Sequence, residues 1–204
     1  MDRLIRLSTD FLIDHGVIAP DDRDVYEYGF HAIYQNIFSL GVVVILAFLL
    51  RQVPQTLLFH IVFIPMKSVA GGYHATTRMR CFVISMVIWL ASLGLIALVT
   101  LAPYVALIMS LTSCIIIWII APVEHENNPL SAKKRRLMMR LSRVISATFC
   151  LGTVAMLVAF PAYGWIGASI AVSMLAMSIS LLVAYLQGRL AQRHAHDASI
   201  IHHE

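Results

Sequence analysis

Charge is scarce in this chain. Of its 204 residues only 13% are Asp, Glu, Lys or Arg, while 59% are hydrophobic; a soluble domain averages about 25% charged. Mean hydropathy is +0.80. The missing charge is missing in blocks: residues 81–102, 104–121, 144–160 and 165–186 contain no Asp, Glu, Lys or Arg. A chain without a polar coat over its middle does not fit a water-soluble globule, and it fits one embedded in lipid. The same absence counts against a transporter of a peptide or small solute, which is expected to place charged groups near the bilayer midplane.

Cysteine is nearly absent as well. The three present, Cys81, Cys114 and Cys150, form no disulfide framework and no zinc ribbon. Cys114 and Cys150 lie inside apolar blocks, where a cysteine is usually a small buried side chain; Cys81 lies at the end of a polar loop. No HExxH spacing occurs, so a zinc enzyme built on His74, Cys81 and His125 ranks last, and neither a metal nor another cofactor is expected. The N-terminus lacks the uninterrupted apolar stretch of a secretory signal, because Asp2, Arg6, Asp10 and Asp14 break it up. No internal repeat is recognisable.

What is present is a succession of apolar blocks. They run 37–50, 56–66, 81–102, 104–121, 144–160 and 165–186. A crossing helix needs about 20 apolar residues, so the first two blocks are short and would tilt, thin the bilayer or form a re-entrant pair. Ahead of them, Leu4, Leu7, Phe11 and Ile18 recur at helical spacing. That pattern predicts an amphipathic helix lying on the membrane surface or packing on the protein's own loops. The fold expected is all-α and polytopic, with about six transmembrane helices and an N-terminal amphipathic region. It forms a single integral membrane domain over 1–204: interfacial helices to 35, a bundle over 36–186 and a polar tail over 187–204.

The net charge of +4 does not point to nucleic acid, because the cations collect between apolar blocks. Arg3, Arg6 and Arg23 precede the first block, and Lys67, Arg78 and Arg80 share one loop. Lys133, Lys134, Arg135, Arg136, Arg140 and Arg143 fall in 122–143, and Arg189 and Arg193 in the tail. Alternation across six crossings places both termini and both basic loops on the cytoplasmic side of a cell membrane. The run Lys133 to Arg136 also suits contact with anionic lipid headgroups or docking of an acidic peptide tail. Gly164, Ala168, Ala176 and Ser180 share a four-residue lattice, a pattern for close helix contact, which extends to a homodimer. His60 and His31 are candidates for polar contacts between helices, and the tail histidines 194, 196, 202 and 203 read as solvated.

The loop from Lys67 to Cys81 carries the chemistry. A thiol attacks only as thiolate, and an ordinary thiol with a pKa of about 8.5 holds little of that form at neutral pH. An imidazole that takes the proton activates it. His74 stands seven positions before Cys81, Arg78 and Arg80 add positive charge, and the thiol opens a helix whose dipole favours an anion. A straight helix over 74–81 would separate the two side chains by about 10 Å, so the backbone must bend; Gly71 and Gly72 supply the freedom. The same residues also suit an interfacial histidine and a small capping cysteine.

The run Gly71-Gly72-Tyr73-His74-Ala75, followed by Cys81 and Ser85, resembles the signature of the accessory gene regulator B family. So does the run Ala121-Pro122-Val123-Glu124-His125-Glu126-Asn127-Asn128-Pro129-Leu130. The resemblance extends over nearly the whole chain and implies a membrane cysteine endopeptidase. Such proteins trim an AgrD-like precursor peptide and promote its cyclisation to a quorum-sensing autoinducing peptide. Cys81 matches the nucleophile and His74 its base, with Gly71, Gly72, Lys67, Ser85, Glu124 and Asn127 as supporting positions. Lys67 stands where the family often has arginine, and Asn128 where lysine is common; at position 67 the charge is kept without a bidentate grip. Glu124, Asn127 or Asn128 could orient His74 as a triad member does, or serve the bland role of helix cap and turn around Pro122 and Pro129.

Overall fold

The structure, a computed structural model, describes residues 2–73, 77–100, 102–123 and 131–201. Every element among them is helical, and six helices are long and apolar enough to cross a membrane. The chain divides into two compact units, Met1–Arg51 and Gln52–Glu204.

In the first unit, α1 (Asp2–Asp14) packs on α2 (Arg23–Leu49). Helix α1 stops where Gly16 adopts φ 65°. There the Gly16 and Val17 amides turn back to the carbonyls of Ile13 and Leu12, a helix stop that suits glycine. Ile5 and Thr9 are buried, whereas Leu4, Leu7 and Phe11 are exposed together with Arg3 and Arg6. Leu4, Leu7 and Phe11 thus form the outward stripe expected of an interfacial helix, but Ile18 does not belong to it. It lies beyond the end of α1 and is buried. Arg23 ties the two helices by an ion pair to Asp10 and holds Glu27 at 3.0 Å, and Ser8 meets Tyr34 at 2.8 Å.

The polar residues 23–35 and the first apolar block form one helix of 27 residues. The first block is therefore not short: its crossing candidate runs Pro20–Leu49. Likewise α3 (Val53–Ala70) outlasts the second block at both ends and accommodates Pro65.

The second unit holds α3, α4 (Arg78–Thr100), α5 (Pro103–Ile120), α6 (Ala132–Ala159) and α7 (Gly164–Ile201). Sequence boundaries move here too. Residues 132–143, expected in a loop, are the first three turns of α6, and the tail beyond 187 continues α7 through Ile201. Helix α7 is the centre of the unit. Two-thirds of its apolar window (67%) is buried, against 22–28% for α3 to α6, all of which pack on it. The reason is size: Gly167, Ala168, Ser169, Ala171 and Ser173 are buried along it, and small side chains let neighbouring backbones approach. Leu57, Ile61, Val83, Val87, Ile115 and Leu151 point outward, a surface that suits lipid.

Hydroxyls join the helices inside. Ser110 donates to Thr153 at 3.3 Å and Ser178 to Ser113 at 3.4 Å. The Trp118 indole donates to Ser146 at 3.0 Å. In lipid such bonds replace water. His60 bonds the carbonyl of Thr56 in its own helix rather than bridging to another. At one end of the unit Met66, Ala70, Ile117, Ala121, Met177 and Leu181 close a core cluster. Directly from its margin rise the two loops singled out in the sequence.

Candidate functional site

The glycine loop is shorter than the sequence indicated, because Lys67 to Ala70 are still helical. Lys67 occupies the last turn of α3, where a cation suits the helix dipole. Its carbonyl accepts the Gly71 amide at 3.1 Å, and its ammonium lies 5.8 Å from the Phe63 ring centroid.

The next three residues are each fixed by a different contact. Gly71 has φ 81°, and a β-carbon there would collide with the carbonyl oxygen of Val123. The Val123 amide donates to the Ala70 carbonyl at 3.0 Å. The two loops, some 50 positions apart in the chain, are thus joined backbone to backbone. Gly72 has φ 142° and packs its α-carbon against Ser180 of α7; a β-carbon would stand 3.1 Å from the serine hydroxyl. The Tyr73 amide then donates to both the carbonyl and the hydroxyl oxygen of Ser180, each at 3.2 Å.

The chain re-enters helix at Arg78. Thr77 caps it: its hydroxyl accepts the Arg80 amide at 3.4 Å, and its carbonyl accepts the Cys81 amide at 3.0 Å. Among the described residues, helix α4 therefore begins after Thr77. Cys81 is a free, half-buried thiol in the first turn of α4. Ser85, one turn on, is exposed. Below it on the same helical face lie Ile88, Ser92 and Leu95, which line a shallow apolar groove of about 190 Å³ against Leu175, Ala176 and Ile179 of α7.

The Gly71 and Cys81 amides are committed to the carbonyls of Lys67 and Thr77, which leaves neither free to stabilise an oxyanion. The first-turn amides of Arg78 and Met79 have no acceptor within α4 itself. His74 lies outside the described residues, and so do Glu124, His125, Asn127 and Asn128; of the tail histidines no side chain is described.

Lys133, Lys134, Arg135 and Arg136 are exposed in the first turns of α6, after Ser131 caps the Lys134 amide at 3.4 Å. Cations at a helix N-terminus oppose its dipole, so the cluster is not there to stabilise the helix. Further along, Arg143 donates to the Trp118 carbonyl at 3.3 Å.

Sequence reasoning missed Val123 and Thr77 as structural contributors and placed Ser180 only in a small-residue lattice. Thr77, three residues before Arg80 and ahead of an apolar run, carried a readable cap signal. The Ser180 contact carried none.

The model of the accessory gene regulator B family matches residues 5–181 of the chain. A curated relative, accessory gene regulator protein B of Staphylococcus intermedius, is 31% identical over 106 residues, a stretch that covers 52% of this chain and 56% of that protein. No solved structure matches the chain. The family match takes in the amphipathic start, both joined loops and the helix on which they are pinned, and the chain belongs to the accessory gene regulator B family.

Proposed function

We propose that this chain is a membrane cysteine endopeptidase that removes the C-terminal part of an AgrD-like precursor peptide and promotes cyclisation of the remainder to a quorum-sensing autoinducing peptide. The observation that carries this reading is Cys81, half-buried in the opening turn of α4, with the pinned Gly-Gly loop leading into His74. The working position is the cytoplasmic face of a cell membrane, with both termini on that side.

The chemistry follows from two side chains. His74 takes the Cys81 proton, and the thiolate attacks a backbone carbonyl of the precursor. The C–S bond forms and the C–N bond breaks as His74 returns the proton to the leaving amine. The C-terminal fragment departs, and the rest is held as a thioester. An internal nucleophile of the peptide then displaces Cys81 and closes a ring. A cysteine there exchanges thioester for thiolactone at nearly equal energy. The Gly72, Arg78 and Met79 amides are candidate donors to the tetrahedral oxyanion. The apolar groove further along α4 suits apolar substrate residues, and excluding water at the membrane edge favours cyclisation of the thioester over hydrolysis.

Lys67 supplies charge beside the loop, and Glu124 or Asn127 is a candidate to orient His74. The cluster from Lys133 to Arg136 suits anionic headgroups or an acidic precursor tail. Purified protein in liposomes, given a synthetic precursor, tests the reading. Cys81→Ala and His74→Ala abolish cleavage while Cys114→Ala and Cys150→Ala retain it; cleavage by the Cys81 variant would overturn the assignment.

A further inference from the structure

We infer that Ser180 of α7 is a positioning residue for the proposed His74–Cys81 pair; the inference rests on that pair being the reactive one. Ser180 lies 107 positions from Tyr73 in the chain and meets it through two oxygens, hydroxyl and carbonyl, each 3.2 Å from the Tyr73 amide. It is only 6% exposed. Its hydroxyl also limits the space above Gly72. Helix interiors rarely offer a carbonyl to an outside donor, because the amide four residues on already uses it. The hydroxyl is therefore the acceptor with capacity to spare, and it is the part of this anchor that a side-chain change can remove.

The consequence is geometric. Tyr73 is bonded directly to His74, so the anchored Gly72–Tyr73 peptide plane fixes the chain one residue ahead of the proposed base and leaves only the Tyr73 torsions between anchor and residue 74. Gly71, held against Val123 just beyond α5, and Tyr73, held by Ser180 within α7, fix the chain on both sides of Gly72. Glycines at 71 and 72 leave the segment intrinsically loose, and α7 is the element that removes the looseness. A reacting pair tolerates little displacement; an error of about 1 Å costs orders of magnitude in rate.

Alkylation of Cys81 by iodoacetamide, resolved from Cys114 and Cys150 by peptide mass spectrometry, tests this on the full chain without a substrate. Buried Cys150 reports whether the bundle is intact. Ser180→Ala is expected to slow Cys81 labelling at neutral pH roughly two- to tenfold, the equivalent of one hydrogen bond, while Cys150 stays protected. Ser180→Thr, which keeps the hydroxyl, restores the rate. A Cys81 rate in Ser180→Ala equal to that of the unsubstituted protein, with Cys150 protected, overturns the inference. If Ser180→Ala exposes Cys150, Gly72→Ala takes its place: it strains the same contact from the loop side, and the same fall or its absence decides. His74→Ala is run alongside. If it leaves Cys81 labelling unchanged, the pair itself is wrong and the inference falls with it; if it slows labelling while Ser180→Ala does not, only the role of Ser180 is lost.

Discussion

Gly71 and Val123 touch so closely that no side chain fits between them: a β-carbon on Gly71 would collide with the Val123 carbonyl oxygen. The contact joins the residue after α3 to the segment after α5, backbone to backbone. Gly71 also has φ 81°, a conformation that side chains other than glycine disfavour by about 1–3 kcal/mol. Gly71→Ala combines that strain with the collision. It is expected to destabilise the second unit by about 2 kcal/mol or more and to reduce precursor cleavage at least tenfold, read from thermal unfolding in detergent and from peptide mass spectrometry.

A similar constraint holds between α6 and α7. A β-carbon on Gly167 would stand 2.9 Å from Leu157 Cγ. Gly167→Ala therefore destabilises by about 1–3 kcal/mol through overpacking. Leu157→Ala alone also destabilises, but the double variant loses less than the sum of the two, because the removed leucine makes room. Parallel unfolding measurements on the four proteins check the coupling; strict additivity would refute it.

Ser146 serves two donors at once, the Trp118 indole at 3.0 Å and the Cys114 thiol at 3.9 Å. Ser146→Ala leaves the indole N–H without this acceptor and is expected to cost about 1–3 kcal/mol. Adding Trp118→Phe removes the stranded donor and recovers part of the loss. Unchanged stability in Ser146→Ala would show the bond to be dispensable.

The cationic start of α6 predicts opposite signs in two measurements. Replacing Lys133, Lys134, Arg135 and Arg136 by Gln relieves an unfavourable charge–dipole interaction worth about 0.3–1 kcal/mol per residue at most. Stability in a neutral detergent should rise or hold. In vesicles rich in anionic lipid the same variant should lose stabilisation relative to the native protein. Equal behaviour in the two media would remove the lipid role of the cluster.

Much of this architecture was legible in the residues. Charge-free blocks and the prolines between them marked α4, α5 and α7, because a helix in lipid needs little beyond length and apolarity. Where polar residues join a helix, the same signal failed. Ala132 to Arg143 read as a loop for want of apolar residues, yet they continue α6, where the charged side chains are exposed. Residues 23–35 were separated from α2 for the same reason. Within the site, the glycine pair and a helix start near Cys81 were readable because glycine freedom and the return of apolar residues are local properties. Val123 against Gly71 and Ser180 against Tyr73 were not, since contacts of such sequence separation arise from packing on α7 and leave no local pattern.

The placement of α7 at the centre of its unit orders events during synthesis. Helices α3 to α6 leave the ribosome and enter the bilayer before their common partner exists, so the helices and the loops they carry are held in their final arrangement only once α7 has arrived. A nascent chain stopped short of Ser180 would carry the thiol but not the anchor that sets the approach to it.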